Sequence, residues 1–384
     1  MDFRYTEEQL ALQETLQRFI ARDYGFEQRR ALAKAEPGFS TAAWTQYAEL
    51  GLLALPFPEE YGGLNGGPVD VMAVMEQVGQ GLLLEPYLST VVLCGGILRD
   101  AASAAVKSAI LPQIAAGEVK LSLAAYEAAG RYELAHVATT AVPEGGGWRL
   151  SGRKSVILDA PSADCFLVSA RSGGALGERT GVSLFLVPRA AGGLKVLPYA
   201  TQSGARAGDL ELTDTRVAGA ALLGEPGQAL AALERGVDAA IAALCAEACG
   251  IVTALNQATL AYLKSRKQFG VPIGVFQALQ HRMADMYIAA EQIRSMTIIA
   301  AVSTGNTDAR GRAIAAAKAY IGQAARFVGQ QAVQLHGAMG VVDDLIVSHY
   351  FKRLTMIDMT FGDADFHFAR FSDAGERSGA QQAA

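Results

Sequence analysis

The sequence predicts an α+β fold built as helices, then strands, then helices again over 384 residues. Three observations lead there. Apolar residues recur at helical spacing up to about residue 120 and again after about residue 232. Between those stretches, short apolar runs are separated by Gly, Pro and Asp clusters, which is strand patterning. No βαβ unit repeats, so a parallel Rossmann sheet is not expected. The expected domains are therefore 1–120 (helical), 121–232 (β) and 233–384 (helical).

The elements follow in chain order. Thr6-Glu7-Glu8-Gln9 has the form of a capping box, and Leu12, Leu16, Phe19 and Ile20 follow at helical spacing, so an amphipathic helix opens the chain. Breaks at Glu36-Pro37-Gly38, Pro56 to Pro58 and Gly62 to Pro68 divide the remainder of the first segment into several helices. Val156-Ile157-Leu158, Cys165 to Val168 and Val182 to Val187 read as strands. Long helices are expected around Ala239 to Lys264, Gln277 to Ala301 and Arg312 to Leu335. The polar, Gly- and Ala-rich tail after Ser372 is expected to fray.

Composition excludes several classes of function. Hydrophobic residues make up 51% and charged residues 18%, as in an ordinary globular interior. With 33 Lys+Arg against 38 Asp+Glu the net charge is -5, so no broad basic surface is available for nucleic acid. The opening Met1-Asp2-Phe3-Arg4-Tyr5 lacks signal-peptide patterning, and no uninterrupted apolar run reaches membrane-spanning length, so a cytoplasmic protein away from membranes is expected. Cysteines 94, 165, 245 and 249 form no CxxC and the five histidines are scattered, so neither a disulfide framework nor a metal site is expected.

Two segments stand out. In Arg266-Lys-Gln-Phe-Gly-Val-Pro-Ile-Gly-Val-Phe-Gln277 one helix ends, a Gly-x-Pro turn follows and another helix begins. Gln334-Leu-His-Gly-Ala-Met-Gly340 closes a long helix in a Gly-rich turn, where either simple capping or close backbone approach to a ligand is possible. With Gly51 to Gly63 and Tyr350 to Asp365, these segments and the layout resemble the acyl-CoA dehydrogenase family over nearly the whole chain, and most closely its pimeloyl-CoA dehydrogenase small-subunit branch.

That resemblance implies an N-terminal helical domain, a middle antiparallel β-barrel or sandwich and a C-terminal four-helix bundle. It also implies FAD and an acyl-CoA substrate, including a dicarboxylyl-CoA such as pimeloyl-CoA. The α proton would be abstracted and the β hydride passed to flavin, giving 2-enoyl-CoA, with electrons going on to an electron-transfer flavoprotein. Homotetramers or mixed tetramers with a related subunit are implied as well.

By the same resemblance Arg266 would neutralise the FAD pyrophosphate, Gln268, Phe269 and Gln277 would line the dinucleotide, and Gln334 with Gly337 would hold its adenosine end. Leu123, Ala125, Val156, Ile157 and Leu158 would lie at the flavin ring, and Tyr132 and Gly362 at the substrate. The sequence departs from the family at the ring, where Val156 and Leu158 replace a Trp and a Thr, and Arg131-Tyr132-Glu133 replaces a Gly-Ser-Asp turn.

The larger departure is at the base. Gly362 occupies the usual position of the catalytic Glu, and Ala240 occupies the family's second position for it. Proton abstraction needs a carboxylate in a dry pocket. Glu247 lies seven residues beyond Ala240, nearly the same helix face, roughly 10 Å along the axis, in a run apolar on all sides. It is ranked first as base, with a structural ion pair to an Arg of a packed neighbour as the competing reading, and Asp363 is ranked next. A catalytically silent scaffold subunit of a heteromeric enzyme is the alternative function.

Overall fold

A computed structural model describes residues 4–305 and 309–382. Eleven α-helices and ten strands are present among the described residues. The helices are α1 (Glu7–Asp23), α2 (Phe26–Lys34), α3 (Thr41–Glu49), α4 (Pro68–Gly81), α5 (Gly96–Ala101) and α6 (Ala104–Ala115), followed by α7 (Leu230–Ser265), α8 (Gln277–Ser303), α9 (Arg310–His336), α10 (Ile346–Met359) and α11 (Ala364–Gln382). The strands are β1 (Leu121–Ala124), β2 (Thr140–Glu144), β3 (Gly147–Leu158), β4 (Cys165–Arg171), β5 (Val182–Pro188), β6 (Leu194–Ala200), β7 (Arg206–Ala218), β8 (Leu222–Leu223), β9 (Lys267–Gln268) and β10 (Val271–Pro272). The helix–strand–helix order expected from periodicity is present.

Spatial packing divides this linear order differently, into two compact units. One comprises Met1–Arg30, Pro68–Leu83 and Ile241–Ala384; the other comprises Ala31–Gly67 and Leu84–Ala240. In the first, the Thr6 capping box forms as its sequence demands, Thr6 accepting from the Gln9 amide while the Gln9 side chain accepts from the Thr6 amide. Helices α4 and α7 cross in near contact through two reciprocal glycines. A Cβ at Gly79 would lie 2.1 Å from the Glu247 carbonyl oxygen, and one at Gly250 would lie 1.9 Å from that of Glu76. Only residues without a side chain permit backbones to approach so closely.

α7 is the helix among those described that is long and apolar enough to cross a bilayer, and 83% of its apolar window is buried within the protein. The tail corrects the sequence expectation. It does not fray after Ser372, because α11 continues to Gln382. Its Ala, Glu, Arg and Gln residues extend a helix already started by the buried Ala364 and His367, and extension requires far less than nucleation.

The second unit contains an eight-stranded sheet ordered β6-β7-β3-β2-β4-β5-β8, with β1 pairing β4 in parallel and the other full-length pairings antiparallel. Leu150, Phe166, Phe185 and Leu210 centre its core. The β3–β7 register shifts between Lys154 and Ile157, and at this bulge Val156 adopts φ 55°. A β-branched residue in the left-handed region is strained.

Candidate functional site

The Arg266 segment is not the Gly-x-Pro turn expected from sequence. α7 stops at Ser265, the Arg266 amide still bonds the Tyr262 carbonyl at 2.8 Å, and the chain then forms a two-residue β-hairpin in which Gln268 pairs with Val271. The turn falls on Phe269 and Gly270, at φ 51° and 81°, the paired positive values of the tight hairpin turn that matches strand twist. Arg266, Gln268 and Gln277 are exposed, Phe269 is 90% exposed, and the Arg266 guanidinium has no partner among the described residues.

One turn before Arg266, Tyr262 stacks on His336 with ring centroids 4.4 Å apart. His336 lies between Gln334, which is exposed, and Gly337, which ends α9 at φ 60°. The structure therefore brings together the two segments singled out by sequence, with the Tyr262–His336 stack as the joint. That joint was not foreseen. The aromatic one turn before the hairpin and the His within the Gly-rich segment were its only sequence trace.

In the other unit, Leu123, Ala125, Val156, Ile157 and Leu158 also converge. The Ser155 amide bonds the Tyr126 carbonyl at 2.9 Å, tying the end of β1 to the β3 bulge. Beneath them the fully buried Lys154 ammonium donates to the Glu127 carboxylate at 2.7 Å, the Ser169 hydroxyl at 2.9 Å and the Ala125 carbonyl at 3.2 Å. Glu127 also accepts from the Ala138 and Thr139 amides and the Thr139 hydroxyl. Leu123, Ala125 and Ile157 are buried, Leu158 is half-buried and Val156 is 60% exposed. Tyr132 is half-buried in the turn after Gly130.

Each position considered for the base is already committed. Glu247 is buried at 2% exposure, and its two oxygens accept from Arg353 Nε and Nη2 at 2.5 and 2.7 Å. This is the forked geometry of a structural ion pair, the competing reading of Glu247. Asp363 accepts from the Phe366 amide at 2.9 Å and so caps α11. Ala240 is fully buried and carries no carboxylate.

A side chain at Gly362 would force its neighbours to move. The glycine sits at φ 114°, and a Cβ there would lie 2.5 Å from Phe366 Cδ1 and 2.7 Å from His367 Nε2. The packing of the turn thus favours glycine at this position. Phe361, before it, is itself at φ 58°. His367 Nε2 lies 3.1 Å from the Phe361 carbonyl, and burial pushes its ring down to about 3, so the neutral ring donates that bond.

Descriptions of the acyl-CoA dehydrogenase N-terminal, middle and C-terminal domains match residues 6–118, 122–215 and 231–373. A solved structure of a Tcur3481-Tcur3483 steroid ACAD variant is 32% identical, with a TM-score of 0.88 over 97% of this chain and 99% of that one. The chain belongs to the acyl-CoA dehydrogenase family. Similar too are the ChsE4-ChsE5 complex from Mycobacterium tuberculosis, 28% identical at a TM-score of 0.89 over 97% and 98% of the two chains, and the probable acyl-CoA dehydrogenase YngJ of Bacillus subtilis, 28% identical over 95% and 97%.

Acyl-CoA dehydrogenases are FAD-dependent oxidoreductases acting on the CH–CH bond of acyl-CoA, and FAD is the cofactor here. The residues present fit it. An unpartnered, exposed guanidinium suits a pyrophosphate, and a glycine at positive φ permits close approach to a dinucleotide. Sequence reasoning missed three of the dehydrogenase's charged residues: Arg353, which claims Glu247; Lys154, which claims Glu127; and Lys318 on α9, fully buried beside the Gly362 turn. A lone Lys in the apolar run Ala315 to Tyr320 was the available signal for the last.

Proposed function

We propose that this chain is a subunit of an acyl-CoA dehydrogenase assembly that holds FAD and polarises the substrate thioester, while a related chain carries the carboxylate base. The observation behind this reading is the Gly362 turn, which carries no carboxylate and would need Phe366 and His367 to move to admit a side chain, while Glu247 and Asp363 are both engaged elsewhere. Bound FAD would supply the acceptor for the β hydride. This chain's own residues would hold the cofactor: Arg266 would neutralise the pyrophosphate, Gln268, Phe269 and Gln277 would line the dinucleotide, and Gln334 with Gly337 would hold the adenosine end.

Leu123, Ala125, Val156, Ile157 and Leu158 border the ring, where backbone and aliphatic contact replace the aromatic stack and hydroxyl of relatives. Tyr132 and the Gly362 amide serve the acyl thioester. That amide makes no hydrogen bond among the described residues, so it is free to donate to a carbonyl oxygen.

Exposed apolar side chains support assembly. Phe269, Val275 and Phe276 on the hairpin side, and Tyr287 and Ile288 on α8, are apolar side chains that a monomer leaves wet. Two-component naming of both solved relatives agrees with a mixed tetramer. The reading includes a cytoplasmic enzyme that passes electrons to an electron-transfer flavoprotein. For the acyl tail it takes a dicarboxylyl-CoA such as pimeloyl-CoA from the branch resemblance, and the steroid ACAD relative adds a steroidal acyl-CoA to the test panel.

Anaerobic titration of the purified chain with short-chain acyl-CoA, pimeloyl-CoA and a steroidal acyl-CoA tests it. The expected result is a yellow protein whose flavin band shifts without bleaching, both in wild type and in Glu247→Gln. Bleaching by the chain alone, abolished by Glu247→Gln with FAD retained, would instead make Glu247 the base of a self-sufficient dehydrogenase.

A further inference from the structure

The Phe361-Gly362 turn is held from behind by one side chain that nothing in the reaction uses directly. Lys318 Nζ, buried on α9, donates to the carbonyls of both Asp358 and Gly362 at 2.6 Å each. No carboxylate among the described residues lies within ion-pair distance of it, so its charge is directed onto backbone. The nearby Asp358 carboxylate is taken by Arg326, also on α9.

A trans peptide points its C=O and its N–H in opposite directions. The Phe361 carbonyl is fixed by the His367 ring, so the Gly362 N–H must point away from that ring. The Gly362 carbonyl is fixed by Lys318, so the next amide, that of Asp363, must point away from the ammonium. Backbone at φ 58° and 114° would not keep this arrangement unaided, because such conformations persist only where their surroundings over-determine them.

We propose that Lys318 is a positioning residue for thioester recognition: by pinning the Asp358 and Gly362 carbonyls it fixes the turn that presents the Gly362 amide to the acyl-CoA carbonyl. The inference rests on the reading that this amide receives the thioester.

The groups facing Lys318 are Cys245 from α7, Asp358 from α10, Asp363 at the start of α11 and, from α11, His367. Burial pushes Lys318 down to about 8, Cys245 up to about 12 and His367 down to about 3. Neither the thiol nor the imidazole therefore changes charge between pH 7 and pH 9, and Lys318 does.

Two ligands that differ only in the carbonyl isolate the effect: octanoyl-CoA and its thioether analogue S-octyl-CoA, titrated against the FAD-bound protein through the flavin band. Wild type is expected to favour the thioester by roughly threefold to tenfold, the worth of one net hydrogen bond. Lys318→Met should bring that ratio close to one while thioether affinity and FAD content hold, and Lys318→Arg should restore part of it. In wild type the ratio should fall as pH rises through about 8, a measurement that needs no substitution should Lys318→Met fail to fold.

An unchanged ratio in a folded, FAD-bound Lys318→Met, or a wild-type ratio flat from pH 7 to pH 9, would overturn the role of Lys318 alone. Equal wild-type affinities for the two ligands at pH 7 would overturn the underlying reading of Gly362 as well.

Discussion

Two buried lysines, one in each unit, meet the same problem in different ways. Both are fully buried, and burial pushes both down to about 8. In the β unit Lys154 is neutralised by the Glu127 carboxylate, which is itself saturated by amide and hydroxyl donors. In the helical unit Lys318 has, among the described residues, only carbonyl oxygens within bonding distance. A buried charge paired with a charge locks β3 to the segment that follows β1. One paired with carbonyls fixes a turn, and this second arrangement sits at the turn proposed to receive the substrate thioester.

The largest expected effect is at the charge-paired lysine. Lys154→Met strands a buried carboxylate and should cost about 3–5 kcal/mol in urea unfolding. Adding Glu127→Gln should recover much of that loss; if the double variant is no more stable than the single, the pair is not the source of the effect.

Gly362→Ala should come next, costing about 1–3 kcal/mol through positive φ and the clash with Phe366 and His367. Gly362→Glu should fail to create a dehydrogenase by itself, and anaerobic flavin bleaching would show at once if it succeeded. Lys318→Met exposes no charge but leaves two carbonyls unsatisfied, so its expected cost is about 1–3 kcal/mol, below that of Lys154→Met. Equal losses at the two lysines would erase the distinction drawn between them.

The smallest effect concerns pH and reports on the same turn. The folded-state pKa of His367 is depressed from 6.5 to about 3, so between those values the unfolded chain binds more protons. Its contribution to stability is complete above pH 6.5 and is lost as pH falls towards 3. The desolvated His349 and His336, both also lowered, act in the same direction. Melting temperatures at pH 7 and pH 5 should therefore differ less in His367→Asn than in wild type, and an identical slope would remove His367 from the account.

Helix and strand assignments were largely legible in the sequence because periodicity of 3.6 or 2 is a local property, as are the Thr6 capping box and the positions of the long helices. That position 362 carries no carboxylate was legible too, since glycine has no side chain. The tail after Ser372 was misread because its composition was weighed without the buried start of α11.

Tertiary structure alone decided what the charged residues do. Glu247 was found by sequence as a carboxylate in an apolar run, but its commitment to Arg353 depends on a residue 106 positions away. Asp363 and Lys318 were settled in the same manner, one as the cap of α11 and the other as the donor to Gly362 across 44 positions. The physical reason is one of range. Local sequence sets which backbone shapes are accessible and which side chains must leave water, whereas the partner of a buried charge comes from whichever distant element packs against it, and that partner determines whether the charge reacts, locks or positions.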